Sequence, residues 1–190
     1  MRVSLLWLVL LLLAGCSPTL ERRVLEYERR VNAGRVDAVL ELFTDDATIE
    51  LEGTYALTGT AALRGLAEWD SVLHTHLTFH EIVTLGDTVM ANVVETNDWL
   101  SAIGILELVH PSTMVIFRDG LITRIEATTD TAGSHALRRA LDEILTWALV
   151  DHPAKVRKLV SGEGVLYNGE NAVLWKELLR EWESVQVSTP

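Results

Sequence analysis

Apolar residues in the first half of the chain follow helical spacing and then change to alternation. They recur every three or four positions over residues 19–31, which predicts a helix that residues 32–34 bring to an end. A second, short amphipathic helix is predicted over residues 36–43. Residues 47–52 alternate apolar and polar side chains, which is typical of a half-buried strand. A loop over residues 53–59 leads to Thr60, a suitable N-cap for a third helix.

From residue 75 onward the pattern becomes that of a strand meander. Residues 75–85 and 88–99 are β-rich runs joined by Gly86-Asp87, and residues 107–117 and 121–129 are two more joined by Arg118-Asp119-Gly120. After Asp130, helical spacing returns over residues 136–150 and 171–183. Helices that segregate from a largely antiparallel sheet predict an α+β fold, which can leave a pocket between the sheet and the helices.

Composition and charge restrict the function classes. The 190 residues are 48% hydrophobic and 23% charged, which is typical of a folded globular chain. The net charge is -11, and so acidic a chain lacks the basic face with which proteins bind the phosphates of nucleic acids. We therefore expect no nucleic-acid partner.

The N-terminal segment predicts a targeting signal. Arg2 precedes an apolar run over residues 3–14 that is too short for a comfortable membrane span. The run ends in Leu13-Ala14-Gly15-Cys16, which resembles a bacterial lipobox and contains the single cysteine. This resemblance implies that residues 1–15 are a signal peptide cleaved before Cys16 and that lipidated Cys16 holds the protein on a membrane of the cell envelope. Ser17 favours the periplasmic face of the outer membrane in a host that has one.

Two further motifs resemble a known fold family. One joins Tyr27-Glu28, the segment from Asn32 to Val39, and Phe43-Thr44-Asp45-Asp46-Ala47-Thr48; the other is Phe117-Arg118-Asp119-Gly120-Leu121-Ile122. Together they resemble the nuclear transport factor 2-like superfamily, and within it the SnoaL-like group. The resemblance implies that residues 16–130 form a cone-shaped, curved, mostly antiparallel sheet packed on three N-terminal helices. Residues 131–190 are then a helical C-terminal extension, and a homodimer is expected by resemblance.

Resemblance to enzymes of this superfamily suggests catalytic carboxylates. The pattern of limonene-epoxide hydrolase places its two acids at Asp98 and Asp130, where one would be a general acid and the other a general base. The arginine of that pattern falls at Thr96, and Arg124 is a substitute cation on the last strand. The alternative is that Asp98 is a strand-end turn residue and Asp130 a helix N-cap.

Ketosteroid isomerase offers a second comparison. Its oxyanion-binding tyrosine aligns with Tyr27, but its catalytic base falls at Leu51, which cannot accept a proton. Without that base the isomerase activity is not expected. The alternative for Tyr27 is a ring that packs in the core and a hydroxyl that finds a partner there.

Three residues are predicted to line a ligand pocket. Trp99 lies at the end of a strand, and strand alternation places Arg124 and Glu126 on one face of the last strand. We assign no metal and no cofactor. His74, His76 and His80 share strand parity, as a metal site requires, but the apolar residues between them indicate that the histidine face is the solvent-exposed one.

Two functions remain open at the level of sequence. The first is a lipid-anchored binding or accessory module with a pocket for a small apolar ligand or a face for a protein partner. The second is a hydrolase or isomerase that uses Asp98 and Asp130. If the helices after Asp130 plug the cone, no ligand can enter and only the partner-binding surface remains.

Overall fold

The structure of the chain is a computed structural model that describes residues 19–162 and 164–187, the last two of these by backbone only. The predicted signal peptide and Cys16 lie outside the described residues. Three helices form the N-terminal layer: α1 (Leu20–Asn32), α2 (Val36–Leu40) and α3 (Thr60–Val72). Val24, Tyr27 and Val31 of α1 are buried, as the helical spacing of the sequence predicts.

A curved sheet of six strands packs on these helices: β1 (Phe43–Leu51), β2 (Tyr55–Thr58), β3 (His76–Leu85), β4 (Thr88–Thr96), β5 (Leu108–Arg118) and β6 (Leu121–Thr128). The strand order is β2-β1-β6-β5-β4-β3. All neighbours are antiparallel except β1 and β6, which are parallel. The α+β class and the mostly antiparallel curved sheet are confirmed. Strand β2 lies within residues 53–59, where the sequence predicts a loop.

The register shifts in four of the strand pairs, and two of these irregularities lie on β3 and β5 beside β4. On β3, three steps from His80 to Val83 face two steps on β4, from Asn92 to Met90. Between β4 and β5 the register shifts so that Ala91 pairs with Thr113 and Val93 with His110. An extra residue on one strand of a pair bends that strand and increases its twist. The bulges therefore help to give the sheet the concave inner face that encloses the site.

The C-terminal segment folds against the open end of the cone. It contains α5 (Thr131–Asp151), α6 (Pro153–Leu159), a short hairpin of β7 (Val160–Ser161) and β8 (Gly164–Val165), and α7 (Gly169–Val187). A short helix, α4 (Asp98–Ala102), follows β4 and contacts α7. Helix α7 also packs on α3, so the extension is attached to the domain through a wide contact. Among residues 19–162 and 164–187, no helix combines the length and hydropathy that a membrane crossing requires.

The buried residues form two hydrophobic clusters. The cone cluster joins helices α1 to α3 to the inner face of the sheet, with Val24, Phe79 and Val115 among its members. The extension cluster joins Trp69 of α3 to α4, β5 and the C-terminal helices, with Trp175 nearly inaccessible. The C-terminal helices therefore bury their apolar residues in a second core that they share with α3, α4 and β5.

Candidate functional site

A cavity of about 370 Å³ lies where the two clusters meet. Its size falls in the range of small-molecule pockets. Tyr27, Phe79 and Ile125 of the cone form one part of the wall, and Val165 and Trp175 of the extension form another. The interior of the cone is thus hollow, and the extension covers it rather than plugging it.

Asp70 is the acidic side chain that α3 contributes to this cavity. It follows Leu63 and Leu66 on the inward face of the helix, and Thr75 Oγ1 donates a hydrogen bond to its Oδ1 at 3.0 Å. Burial raises the pKa of Asp70 from its ordinary 3.8 to about 8, and the negative charge of Glu95 adds to the rise. Asp70 is one of the residues that line the cavity. At neutral pH, Asp70 is therefore mostly an uncharged proton donor.

A chain of hydrogen bonds runs across the sheet side of the same cavity. Asn97 Nδ2 donates to Glu95 Oε1 at 2.8 Å, and Glu95 Oε2 lies 3.3 Å from His110 Nε2. The other ring nitrogen, His110 Nδ1, lies 3.2 Å from Thr129 Oγ1. His110 is 4% and Thr129 8% exposed, and all four residues line the cavity. The sequence thus places a carboxylate, an imidazole and a hydroxyl in one connected row.

The β5 bulge explains why His110 faces inward. Thr113, Val115 and Phe117 are buried at odd-numbered positions of β5, and strict alternation would turn His110 to the outer face. Pro111 and Ser112 are exposed in the bulge and change the parity, so that His110 and Thr113 both point inward.

Three tyrosines supply further hydroxyl groups. Tyr27, Tyr55 and Tyr167 all line the cavity. Burial raises the pKa of each of the three hydroxyls, and the charges of nearby acids add to the effect. The hydroxyls therefore remain protonated at physiological pH. Tyr27 also packs edge-to-face on Phe43 at 5.6 Å and on Phe79 at 6.3 Å, so its ring is part of the core as well as of the wall.

The extension places Tyr167 in the wall through a close backbone approach. A Cβ atom at Gly65 of α3 would lie 2.5 Å from the Tyr167 carbonyl oxygen, so only glycine fits there. The Tyr167 ring packs edge-to-face on Tyr55 at 4.9 Å and on Trp69 at 5.0 Å. Tyr167 therefore joins the extension to both the helix layer and the sheet.

The predicted acid pair does not meet in the cavity. Asp98 begins α4, where its Oδ2 lies 2.7 Å from Lys176 Nζ and 2.8 Å from His74 Nδ1. Burial alone would raise the pKa of Asp98, but the hydrogen bonds from Lys176 and His74 lower it overall. Asp130 caps α5, and its Oδ1 accepts a hydrogen bond from the Gly133 N–H at 2.9 Å. Neither carboxylate lines the cavity, so Asp98 and Asp130 do not form an acid–base pair there. The alternative interpretation of each, as a turn residue and as an N-cap, agrees with its position.

The other predicted site residues divide into two groups. Tyr27 and Trp99 line the cavity, and Trp99 packs edge-to-face on Trp175 at 5.9 Å. Arg124 and Glu126 lie on the outer face of β6, where Arg124 Nε is 2.5 Å from Glu126 Oε1. Arg124 and Glu126 share one face of the strand, as predicted. The residues of β6 that face the cavity are Ile125 and Ala127, so Arg124 and Glu126 do not line the pocket.

The histidines singled out from the sequence face solvent. His74, His76 and His80 are exposed, and His74 pairs with Asp98. Within the described part of the chain, no three histidine, cysteine, aspartate or glutamate side chains are close enough together to hold a metal ion.

Sequence reasoning missed Asp70, Glu95, His110 and Thr129. Two of them carried a signal: Glu95 has the same parity as the inward residues Val89, Ala91 and Val93, and Asp70 continues the apolar face of α3. Strand alternation predicts the wrong face for His110 because the bulge changes the parity of β5. No pattern in the sequence shows that Thr129 contacts His110.

Comparison with known proteins supports the fold. The family model described as SnoaL-like domain matches residues 24–125. No curated protein matches the chain. Among solved structures, the epoxide hydrolase/cyclase-like enzyme SalBIII, with a role in pyran ring formation in the polyether salinomycin, superposes with a TM-score of 0.54 at 22% identity. That similarity covers 60% of this chain and 92% of SalBIII.

Two other solved structures are similar in the same way. An LEH-like epoxide hydrolase of M. tuberculosis gives a TM-score of 0.52 at 19% identity, covering 67% of this chain and 95% of its own. An NTF2-like protein of unknown function from Cytophaga hutchinsonii gives 0.50 at 14% identity, covering 60% and 92%. At these identities the likeness establishes the shared fold alone.

Proposed function

We propose that this chain, which belongs to the SnoaL-like domain family, binds a small and largely apolar molecule in the cavity. The observation that carries the proposal is the cavity of about 370 Å³, which is lined mainly by aromatic and aliphatic side chains together with some polar groups. Apolar walls supply the binding energy through the area they remove from water, while the polar groups orient the ligand.

The polar groups favour a neutral ligand that carries an oxygen acceptor. Three glutamates, Glu50, Glu52 and Glu95, line the cavity against one arginine, Arg138, and the protein as a whole is acidic, so a neutral ligand is favoured over an anionic one. Asp70 is mostly protonated at neutral pH because burial raises its pKa to about 8, and it can donate a hydrogen bond to a carbonyl, ether or hydroxyl oxygen.

Binding is testable with the neutral fluorophore N-phenyl-1-naphthylamine. We expect saturable enhancement of its fluorescence by the protein. The variant Ala127→Phe places a ring in the cavity and should abolish the enhancement. Its matched control is Thr128→Phe, the next residue of β6, which is exposed and does not line the cavity. Equal fluorophore affinity for the two variants, both folded by circular dichroism, would contradict the proposal.

An epoxide hydrolase or isomerase reaction at Asp98 and Asp130 is the less favoured candidate. The relatives with such activity share the fold at no more than 22% identity, and the two carboxylates are held outside the cavity by their own partners. Asp98→Asn would leave fluorophore binding unchanged if the cavity is the functional site.

We also propose that the protein is anchored to an envelope membrane through lipidated Cys16. The support is the segment Leu13-Ala14-Gly15-Cys16 after an apolar run. Several acyl chains on one cysteine would hold the protein durably, whereas one chain binds only marginally. Cys16→Ser should move the protein from the membrane fraction to the soluble fraction. Unchanged fractionation of this variant would exclude anchoring at Cys16.

A further inference from the structure

We propose that Thr129, His110 and Glu95 form a nucleophile–base–carboxylate relay that hydrolyses a small, largely apolar ester held in the cavity. The inference rests on the proposed ligand-binding function and assigns a reaction to the same site. It depends on one connected row of contacts, Thr129 Oγ1 to His110 Nδ1 at 3.2 Å and His110 Nε2 to Glu95 Oε2 at 3.3 Å. All three side chains line the cavity.

The direction of the hydrogen bonds follows from the chemistry of the groups. A carboxylate oxygen accepts and does not donate, so the hydrogen shared with Glu95 lies on His110 Nε2. Neutral imidazole carries one hydrogen, which leaves Nδ1 as an acceptor for the Thr129 hydroxyl. Asn97 donates to the other oxygen of Glu95 at 2.8 Å and holds the carboxylate in place. The Thr129 hydroxyl therefore donates its hydrogen bond to His110 Nδ1. This nitrogen can accept the proton as a general base when Thr129 Oγ attacks.

The position of Thr129 in the fold suits this role. It follows the last residue of β6 and stands two positions before the start of α5, a helix of 21 residues. The first N–H groups of a helix lack intrahelical partners and carry partial positive charge. Negative charge that develops next to Thr129 is therefore favoured by the α5 terminus. The Thr131 and Ala132 N–H groups lie in this first turn, while Asp130 caps that of Gly133.

The reaction is balanced in two steps. Thr129 Oγ attacks the ester carbonyl carbon and passes its proton to His110 Nδ1, while the carbonyl π electrons move to oxygen. When the carbonyl re-forms, the ester C–O bond breaks and the leaving alkoxide takes the proton from His110. Water then attacks the acyl group on Thr129 in the same way, which releases a carboxylic acid and restores the hydroxyl. The sum is ester plus water to alcohol plus acid.

Hydrolysis of p-nitrophenyl acetate tests the relay. We expect a burst of p-nitrophenol and an acetyl group on the peptide that contains Thr129. Thr129→Val, which has nearly the same shape without the hydroxyl, should lower the rate by about a hundredfold or more, and His110→Gln should do the same. Thr129→Ser keeps a hydroxyl and should retain activity. The matched control Thr128→Val lies on the opposite face of the chain and should react like the parent protein.

Glu95 acts through His110 and is a positioning residue. Glu95→Gln should lower kcat for p-nitrophenyl acetate while KM and the affinity for N-phenyl-1-naphthylamine stay unchanged. A purely structural role would instead lower that affinity together with the melting temperature.

The relay is overturned if the parent protein hydrolyses the ester no faster than buffer, if Thr129→Val matches the parent, or if acetyl is found on another residue. His110 would then be a buried histidine that is merely satisfied on both nitrogens. Binding of N-phenyl-1-naphthylamine is measured separately, so its persistence would leave the ligand-binding proposal in place, and its loss would remove both.

Discussion

Replacing Asp70 with asparagine should reveal the cost of keeping this carboxyl group in the cavity wall. The pKa of Asp70 is raised by burial from 3.8 to about 8 in the folded chain. Between these values the folded state keeps a proton that the unfolded state releases, so stability falls as pH rises. One pKa unit corresponds to about 1.4 kcal/mol, so Asp70 destabilises the fold by roughly 4 kcal/mol at pH 7.

Asparagine has nearly the same shape as aspartate, but its side chain does not ionise. The stability of Asp70→Asn relative to the parent should therefore increase by roughly 3 kcal/mol between about pH 5 and about pH 7, and level off above about pH 8. Urea unfolding followed by tryptophan fluorescence at several pH values measures this difference, provided the slope m is the same in both proteins. A difference that does not change with pH would refute the reasoning, because Asp70 would then titrate as if in water.

Asp98 supplies a control of opposite sign. Burial works to raise its pKa, but Lys176 and His74 lower it overall. A carboxyl group of lowered pKa stabilises the fold above its unfolded pKa, and this contribution is lost as pH falls through the folded value. Asp98→Asn should therefore destabilise the protein at neutral pH, and the effect should shrink on acidification. If both variants shift in the same direction, the assignment of the two environments is wrong.

Three further predictions address the extension and the assembly. Gly65→Ala should destabilise the fold by about 1–2 kcal/mol in urea, because the new Cβ would lie 2.5 Å from the Tyr167 carbonyl oxygen and the clash outweighs the better helix propensity of alanine. Lys176→Met should cost about 1 kcal/mol or less, and the cost should decrease in high salt, because its partner Asp98 is partly exposed. The homodimer expected from the family resemblance should appear in sedimentation equilibrium as a concentration-dependent doubling of mass, and a monomer at all concentrations would contradict it.

The fold was accessible from the sequence because its elements have regular periods. Helix α1 buries the residues that recur at helical spacing, and β6 alternates from Arg124 to Thr128 as its residues predict. Strand β2 was missed because four residues between turns are too few to establish a period. Helix α4 was missed for the same reason, since only five residues follow Asn97 before it ends.

The residues of the site were harder to predict from the sequence than the fold, because tertiary structure decides which side chains come into contact. Asp98 was aligned with a catalytic acid, but its partner Lys176 comes from a helix 78 residues later, beyond the reach of any local pattern. His110 was passed over because the insertion at Pro111 and Ser112 reverses the face of the strand. A bulge of one residue thus separates a solvent-facing histidine from one in the cavity wall.

The extension supplies part of the cavity wall beside acids that belong to the SnoaL-like domain. Tyr167 and Trp175 lie beyond the residues that the SnoaL-like domain covers, and both line the cavity. We expect these two side chains to exclude water from the neighbourhood of Asp70 and so to contribute to the burial that raises its pKa. A change that loosens the extension, such as Gly65→Ala, should therefore lower the pKa of Asp70 toward its ordinary value. If the pH dependence of stability were the same in Gly65→Ala as in the parent, the cone alone would be responsible for that shift.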